Sequence, residues 1–148
     1  MRLWSVRHAA ALARVYVAFE AAVAAAAPLL RMIGYARLER PVAAVEASLK
    51  GFLFDCRMCG DCLLSKTGMS CPMNCPKAMR NGPCGGVRAN GNCEVFPAMP
   101  CVWVKAYEGS LAMKGGAAIA ELQPPLNHAR KGASTWLGLA RGGAKAGE

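Results

Sequence analysis

All eight cysteines of this 148-residue chain fall between positions 56 and 101. Disulfides usually join distant parts of a small secreted fold, whereas cysteines crowded at short spacings favour metal ligation. The spacing here is C-x₂-C-x₂-C-x₈-C-x₃-C-x₈-C-x₈-C-x₇-C. Eight sulfur ligands divide naturally into two four-ligand sites, so the sequence predicts two metal centres. The predicted ligands are Cys56, Cys59, Cys62, Cys71, Cys75, Cys84, Cys93 and Cys101.

The first three cysteines indicate which metal is bound. Bacterial ferredoxins use a C-x₂-C-x₂-C run to hold three irons of a [4Fe–4S] cluster, with a fourth ligand from a remote Cys-Pro. Two Cys-Pro pairs follow the triplet in this chain, at Cys71 and Cys75. Zinc sites usually combine two C-x₂-C pairs, and no second pair follows Cys62. The pattern favours two [4Fe–4S] clusters, with zinc as the alternative.

Spacing does not fix which cysteine belongs to which centre. We expect the triplet to share one centre with a single distant ligand, Cys101. The other centre is then expected to take most of the remaining cysteines. Both histidines, His8 and His128, lie far outside the segment, so the ligand set is all sulfur. Most of the second centre's ligands are expected from among Cys71, Cys75, Cys84 and Cys93.

The formal net charge is +9, from 18 basic and 9 acidic residues. A basic surplus can mark a nucleic-acid interface or simply a solvated surface. Two centres with four thiolates each subtract about four units from that charge, which returns it to an ordinary value. We therefore expect no nucleic-acid partner. Four basic residues within the cysteine segment are either solvated or offset charge at the centres: Lys66, Lys77, Arg80 and Arg88.

Signs of an independent active site are missing from the sequence. It contains no Walker loop, no G-x-G-x-x-G after a strand and no plausible Ser/His/Asp grouping. Eight cysteines used as ligands also leave no thiol free as a nucleophile. Whether the chain counts as an enzyme is therefore uncertain, and an accessory role without its own active site is expected.

Helices must position these ligands. Residues 2–34 predict one or two alanine-rich helices, whose apolar stripe at steps of four, three and four marks a core or partner-packing face. Pro28 is expected to end or kink this region. Arg14 and Glu20 interrupt any membrane span or targeting segment, so we expect a cytoplasmic helix and no transmembrane segment. The stripe consists of Leu12, Tyr16, Phe19 and Val23.

A second helix is predicted to open at Glu39-Arg40-Pro41 and to lead directly into Cys56, with a further apolar stripe at Val42, Val45, Leu49 and Phe52. Between 56 and 101, Gly and Pro predict irregular loops with one helical turn over 76–80. Residues 102–113 predict a helix or a strand. The fold class is a small α plus irregular domain stabilised by two metal centres.

Three regions follow from these elements. Residues 1–38 are predicted to be N-terminal helices that dock a partner, and residues 39–108 a helix plus the metal-binding domain. Residues 109–148 are predicted to be a linker, over 114–132, and a basic tail. That tail carries an apolar patch around Trp136, which is expected to dock on a partner.

The cysteine segment also resembles a known family. The stretches CRMCGDCLLSKTGMSCPMNCPKAMRNGPCGG and NGNCEVFPAMPCVWVKAY look like the cysteine-rich C-terminal domain associated with methylenetetrahydrofolate reductases. The resemblance covers residues 41–107, with a weaker echo in GASTWLGLARG near the C-terminus. In acetogens, a similar small protein is the iron–sulfur partner subunit of that reductase. Residues 1–38 lie outside the resemblance.

The resemblance implies a division of labour between two subunits. It implies a partner with a flavin-containing TIM barrel that reduces 5,10-methylenetetrahydrofolate to 5-methyltetrahydrofolate. This chain would pass electrons from its clusters, and from an electron-donor protein, to the partner's flavin, and it would itself be non-catalytic. Members of the family are described as zinc or iron–sulfur proteins, so a structural zinc protein that stabilises or regulates the reductase is the alternative.

Overall fold

Alanine-rich sequence with few helix breakers makes the N-terminal third of the chain helical. The computed structural model describes residues 2–142, so Met1 and residues 143–148 of the predicted tail lie outside the described residues. Four helices come first: α1 (Leu3–Arg7), α2 (Ala9–Ala25), α3 (Ala27–Ile33) and α4 (Tyr35–Phe54). Helix α5 (Val102–Ala112) follows the cysteine segment, and α6 (Thr135–Ala140) lies near the C-terminus.

The described part of the chain, residues 2–142, contains no β-strand, only an isolated bridge between Asn92 and Pro100. Pro28 lies at the start of α3, which confirms the expected break, and α2 and α3 meet at a 53° bend. Within residues 2–142, no single helix is long and apolar enough to cross a membrane. Helices α2 and α3 have the required length and apolar character only when taken together, as a bent pair.

Three local predictions need correction. Residues 2–34 form three helices, because the chain also breaks at His8. The short helical turn expected at 76–80 lies instead at Pro72–Asn74, as a 3₁₀ turn in which Pro72 takes the first position. The open choice for 102–113 is resolved as helix α5.

Helix α4 differs most from its prediction. It begins at Tyr35, after Gly34 with a φ of 98°, so Pro41 lies inside the helix instead of in its first turn. Three of the four residues of its apolar stripe face solvent: Val45, Leu49 and Phe52 are 53%, 51% and 75% exposed. The opposite face, which carries a charged pair, is buried. Its buried residues are Glu46, Lys50 and Phe54.

The stripe on α2 packs inward, as predicted for a core face. Leu12 and Tyr16 pack against a small core, and the Phe19 ring lies 4.8 Å from the Trp136 ring. The core combines helix residues with the cysteine segment, so the helices and the candidate metal region share one apolar interior. Its buried members are Ala9, Phe54, Leu64, Met69 and Cys71.

The C-terminal segment folds back over the rest of the chain. Asn81 and Gln123 exchange two hydrogen bonds, of 2.7 and 2.9 Å. Helix α6, capped by Ser134, packs against α2 and α4. The Trp136 patch therefore contacts Phe19 and other parts of its own chain, where a partner protein was expected.

Candidate metal centre

Four cysteines line a cavity at the end of α4. Helix α4 ends at Asp55 in a left-handed conformation, which turns the chain into the cysteine triplet. The cavity encloses an empty volume of about 400 Å³, its mouth included. Leu64 and Met73 contribute apolar wall, and Lys50 and Arg80 contribute charge. The four cysteines that line this cavity, called the first site below, are Cys56, Cys59, Cys62 and Cys71.

The remaining four cysteines line a second cavity, of about 340 Å³ with its mouth included. This second site lies in the glycine- and proline-rich part of the segment, next to the start of α5. Pro76, Met99 and Trp103 contribute to its walls. Cys84 is exposed, so the second site is more open to solvent than the first. Its cysteines are Cys75, Cys84, Cys93 and Cys101.

This grouping differs from the expected partition, because Cys71 lines the cavity of the triplet and Cys101 lines the second. The reason is the fold of residues 63–70, which spacing does not reveal. The backbone N–H of Thr67 donates to Leu63 O, and Met69 N–H donates to Leu64 O. The Thr67 hydroxyl donates to Ser70 O at 2.7 Å. These bonds form a compact turn that returns the chain to the triplet.

Cys101 is placed by a second local structure. Its backbone N–H donates to Gly91 O at 3.0 Å, and Cys93 N–H donates to Met99 O at 2.9 Å. Together with the bridge between Asn92 and Pro100, these bonds fold residues 91–101 back on themselves. Cys93 and Cys101 are thereby brought to one cavity at the start of α5.

Two thiols of the first site, Cys56 and Cys71, are hydrogen-bonded to each other. A hydrogen bond from Cys71 and another from the Met58 N–H lower the pKa of Cys56 to about 6, against the opposing effect of burial. The same contact with Cys56, together with burial, raises the pKa of Cys71. Burial raises the pKa of Cys59. One thiolate held by neighbouring donors is the form that binds metal.

A buried charge network lies against this site. Lys50 Nζ is 2.7 Å from Glu46 Oε1, 2.7 Å from Thr135 Oγ1 and 3.6 Å from Cys62 Sγ. Burial would lower the pKa of Lys50, but the Cys62 thiolate and the Glu46 carboxylate outweigh it and raise that pKa. Tyr16 adds its hydroxyl, which donates to Cys62 Sγ at 3.5 Å.

A second network anchors the C-terminal segment to the loop that carries the cysteine triplet, residues 56–62. Asp61 accepts hydrogen bonds of 3.4 Å from both Arg80 and Arg130. The backbone N–H of Gly132 donates to Met58 O at 2.7 Å. Gly60 has a φ of 76°, and a Cβ there would lie 2.0 Å from Arg130 O, so only glycine fits this contact.

The residues of the buried network were not predicted from the sequence. Glu46 and Lys50 are four positions apart on a helix, which is also the spacing of an ordinary surface ion pair. Of the four basic residues proposed from sequence, Arg80 lines the first site and Lys77 the second. Lys66 pairs with Glu121, and Arg88 bonds to Glu94 O. No sequence signal distinguishes Arg80 from the other three.

All eight cysteines are free thiols. Within residues 2–142, no group of three or more Cys, His, Asp or Glu side chains is set closely enough to hold a single metal ion. The two metal centres therefore stay a prediction. The arrangement provides two cavities with four sulfur ligands each, a donor set that suits iron–sulfur clusters and zinc alike.

These features define a small helical, cysteine-rich domain with two four-cysteine cavities, the second of which includes an exposed cysteine. Comparison with known families then gives its family. The profile of the family described as "Methylene-tetrahydrofolate reductase C terminal" matches residues 35–129, which is more than half of the chain, and the chain belongs to that family. Comparisons with curated proteins and with solved structures found no match.

Proposed function

We propose that the chain is the iron–sulfur electron-transfer subunit of a flavin-dependent 5,10-methylenetetrahydrofolate reductase complex. It would act in the cytoplasm and would pass electrons to the flavin of a TIM-barrel partner. The observation that carries this proposal is the grouping of all eight cysteines into two cavities of four within a chain of this family. The family match supports the link to the reductase, and the cavities support the role within it.

The ligand pattern favours clusters over zinc. Cys56, Cys59 and Cys62 form a C-x₂-C-x₂-C run, with which bacterial ferredoxins hold three irons of a [4Fe–4S] cluster. Zinc sites usually combine two C-x₂-C pairs, and no second pair follows Cys62. Cys71, the fourth cysteine that lines this cavity, belongs to a Cys-Pro pair, the kind of remote ligand that such clusters use.

The chain's own residues supply what a cluster needs. Leu64 and Met69 are buried beside Cys71 and keep water from the inner side of the first site. Burial of each side chain contributes about 2 kcal/mol to the free energy of folding. Lys50 and Arg80 bring positive charge to the same cavity, each paired with a carboxylate, Glu46 and Asp61 respectively. A [4Fe–4S] cluster supplies one-electron transfer, which a flavin can collect and deliver as a hydride.

The two sites differ in access, which supports a direction of transfer. Cys84 is exposed at the second site, as are the nearby Val95 and Phe96. An electron-donor protein would approach there. The solvent-facing part of the α4 stripe ends next to the first site and is the surface we propose for the flavin subunit. It consists of Val45, Leu49 and Phe52.

Metal analysis and spectroscopy test this function. Protein purified without oxygen, together with its flavin partner, should be brown and contain about eight irons per chain. Dithionite should bleach its visible absorption and produce an electron paramagnetic resonance signal. Reduced protein should then pass electrons to the partner's flavin. A colourless protein with stoichiometric zinc would contradict the proposal and support a structural role.

The docking surface is tested by Phe52→Ser, with Phe96→Ser as the matched control for loss of an exposed phenylalanine. Phe52→Ser should weaken co-purification with the flavin subunit and leave the iron content unchanged. Phe96→Ser should leave that association intact. Equal effects of the two variants would mean that the α4 stripe is not the interface.

A further inference from the structure

We infer that Lys50 is a positioning residue that makes the first site the more easily reduced of the two centres. This inference rests on the proposed function, because it concerns clusters held by these cysteines. Its basis is the contact of a buried ammonium group with a ligand sulfur. Lys50 Nζ lies 3.6 Å from Cys62 Sγ, and its side chain is only 3% exposed.

Lys50 is fixed in place by its neighbours. Glu46 Oε1 and Thr135 Oγ1 each lie 2.7 Å from its Nζ. Glu46 is in turn held by the Ser134 hydroxyl and by the backbone N–H of Trp136. The Tyr16 and Trp136 rings lie 5.7 and 5.4 Å from the ammonium group. The charge therefore cannot swing away into solvent.

The charges at the second site are exposed. Its ion pair is Lys77 with Glu94, whose side chains are 43% and 38% exposed. Both partners contact Cys84: its thiol donates to Glu94 Oε1 at 3.6 Å, and Lys77 bonds to the same sulfur. Water and salt screen exposed charges strongly, and buried charges much less. The two sites thus differ in how strongly the cation that contacts sulfur is screened.

Reduction adds one electron from an external one-electron donor to a centre that is already negative. No bond forms or breaks, and Lys50 stays protonated throughout. A buried cation at the ligand sulfur stabilises the added charge, and hydrogen bonds to ligand sulfurs are known to tune potentials in the same way. Electrons that enter at the exposed second site would therefore move on to the first.

Three variants test this inference in the whole protein, loaded with iron under anaerobic conditions. Lys50→Met removes the cation, Glu46→Gln removes the opposing carboxylate, and Lys66→Met removes an exposed lysine as control. The readout is a potentiometric titration followed by electron paramagnetic resonance. Repeating it in a Cys84→Ser/Cys93→Ser background, which should keep only the first centre, assigns the signals.

Lys50→Met should lower the ratio of reduced to oxidised first centre about tenfold at a fixed potential, which equals about 59 mV for one electron. Glu46→Gln should raise that ratio. Neither should change the second centre, and Lys66→Met should change neither centre. A purely structural role predicts the same direction of change for both buried substitutions, so opposite signs are the discriminating result.

Failure of this inference is distinguishable from failure of the proposed function. Wild-type protein without iron would refute the proposed function itself. Wild-type protein with its full iron and an unchanged first centre in Lys50→Met would refute only the role of Lys50. If Lys50→Met does not retain iron, Glu46→Gln decides alone: a raised ratio supports the inference, and a lowered or unchanged ratio overturns it.

Discussion

Ser134 Oγ donates a 2.7 Å hydrogen bond to Glu46 Oε2, across 88 positions of the chain. The contact ties the segment before α6 to the middle of α4, at a carboxylate that is fully buried. The same hydroxyl accepts from the Leu137 N–H and so caps α6. One side chain therefore satisfies a buried charge and starts a helix next to the first site.

We predict that Ser134→Ala lowers the free energy of unfolding by about 1–3 kcal/mol, because it removes a helix cap and a hydrogen bond to a buried carboxylate. Ser48→Ala is the matched control, since the Ser48 hydroxyl is exposed and bonds only to Ala44 O within α4. Its expected change is within about 0.5 kcal/mol. Urea unfolding of the metal-loaded protein measures both, and equal losses would contradict the prediction.

A second prediction concerns the crossing of α5 over the turn at 63–70. A Cβ at Gly109 would lie 2.2 Å from Gly68 O, which is backbone and cannot yield easily. Gly109→Ala should therefore destabilise the protein by about 1–3 kcal/mol. Gly51→Ala, also within a helix, meets nothing within 4 Å and should stabilise it by about 1 kcal/mol. Thermal unfolding measures the stability of both variants. If both substitutions lower the stability, the contact between Gly109 and Gly68 does not explain the effect at Gly109.

The grouping of the cysteines gives a third prediction. Cys59→Ser and Cys71→Ser should each lose about four of about eight irons, and the double variant should lose no more than either alone. Cys59→Ser with Cys101→Ser should lose nearly all iron, because these residues line different cavities. Iron and sulfide analysis distinguishes the two double variants. If Cys59 and Cys101 instead act on the same four irons, and Cys59 and Cys71 on different ones, the sequence-based partition is right.

Much of the ligand set can be predicted from sequence, because cysteine type and spacing are local features. The partition of Cys71 and Cys101 cannot, since it depends on tertiary turns at 63–70 and 91–101. Pro28 can be predicted to mark the boundary between α2 and α3, because proline lacks a backbone N–H and this effect does not depend on the rest of the fold. The exposed face of α4 is different: periodicity locates a stripe, but Val45 faces solvent because Glu46 finds buried partners 88 and more positions away.

The N-terminal helices provide the last prediction. The sequence predicts that residues 1–38 dock a partner, and a role limited to docking would leave the metal content intact when they are deleted. In the structure, the Ser5 hydroxyl contacts Met69 O, and the Tyr16 hydroxyl donates to Cys62 Sγ at 3.5 Å. Leu12 packs on the core beneath the first site. Deletion of residues 1–38 should therefore remove about half of the iron, from the first site only.

A matched pair of variants separates packing from the mere presence of the helix. Leu12→Ala/Tyr16→Ala alters the buried face of α2 and should reduce iron at the first site. Val15→Ala/Val17→Ala alters its exposed face and should leave the iron unchanged, because both valines point to solvent. Each pair puts alanine, the best helix former, into α2, so helix propensity does not explain a difference. Full iron in the deletion variant would show that residues 1–38 are dispensable for the metal centre.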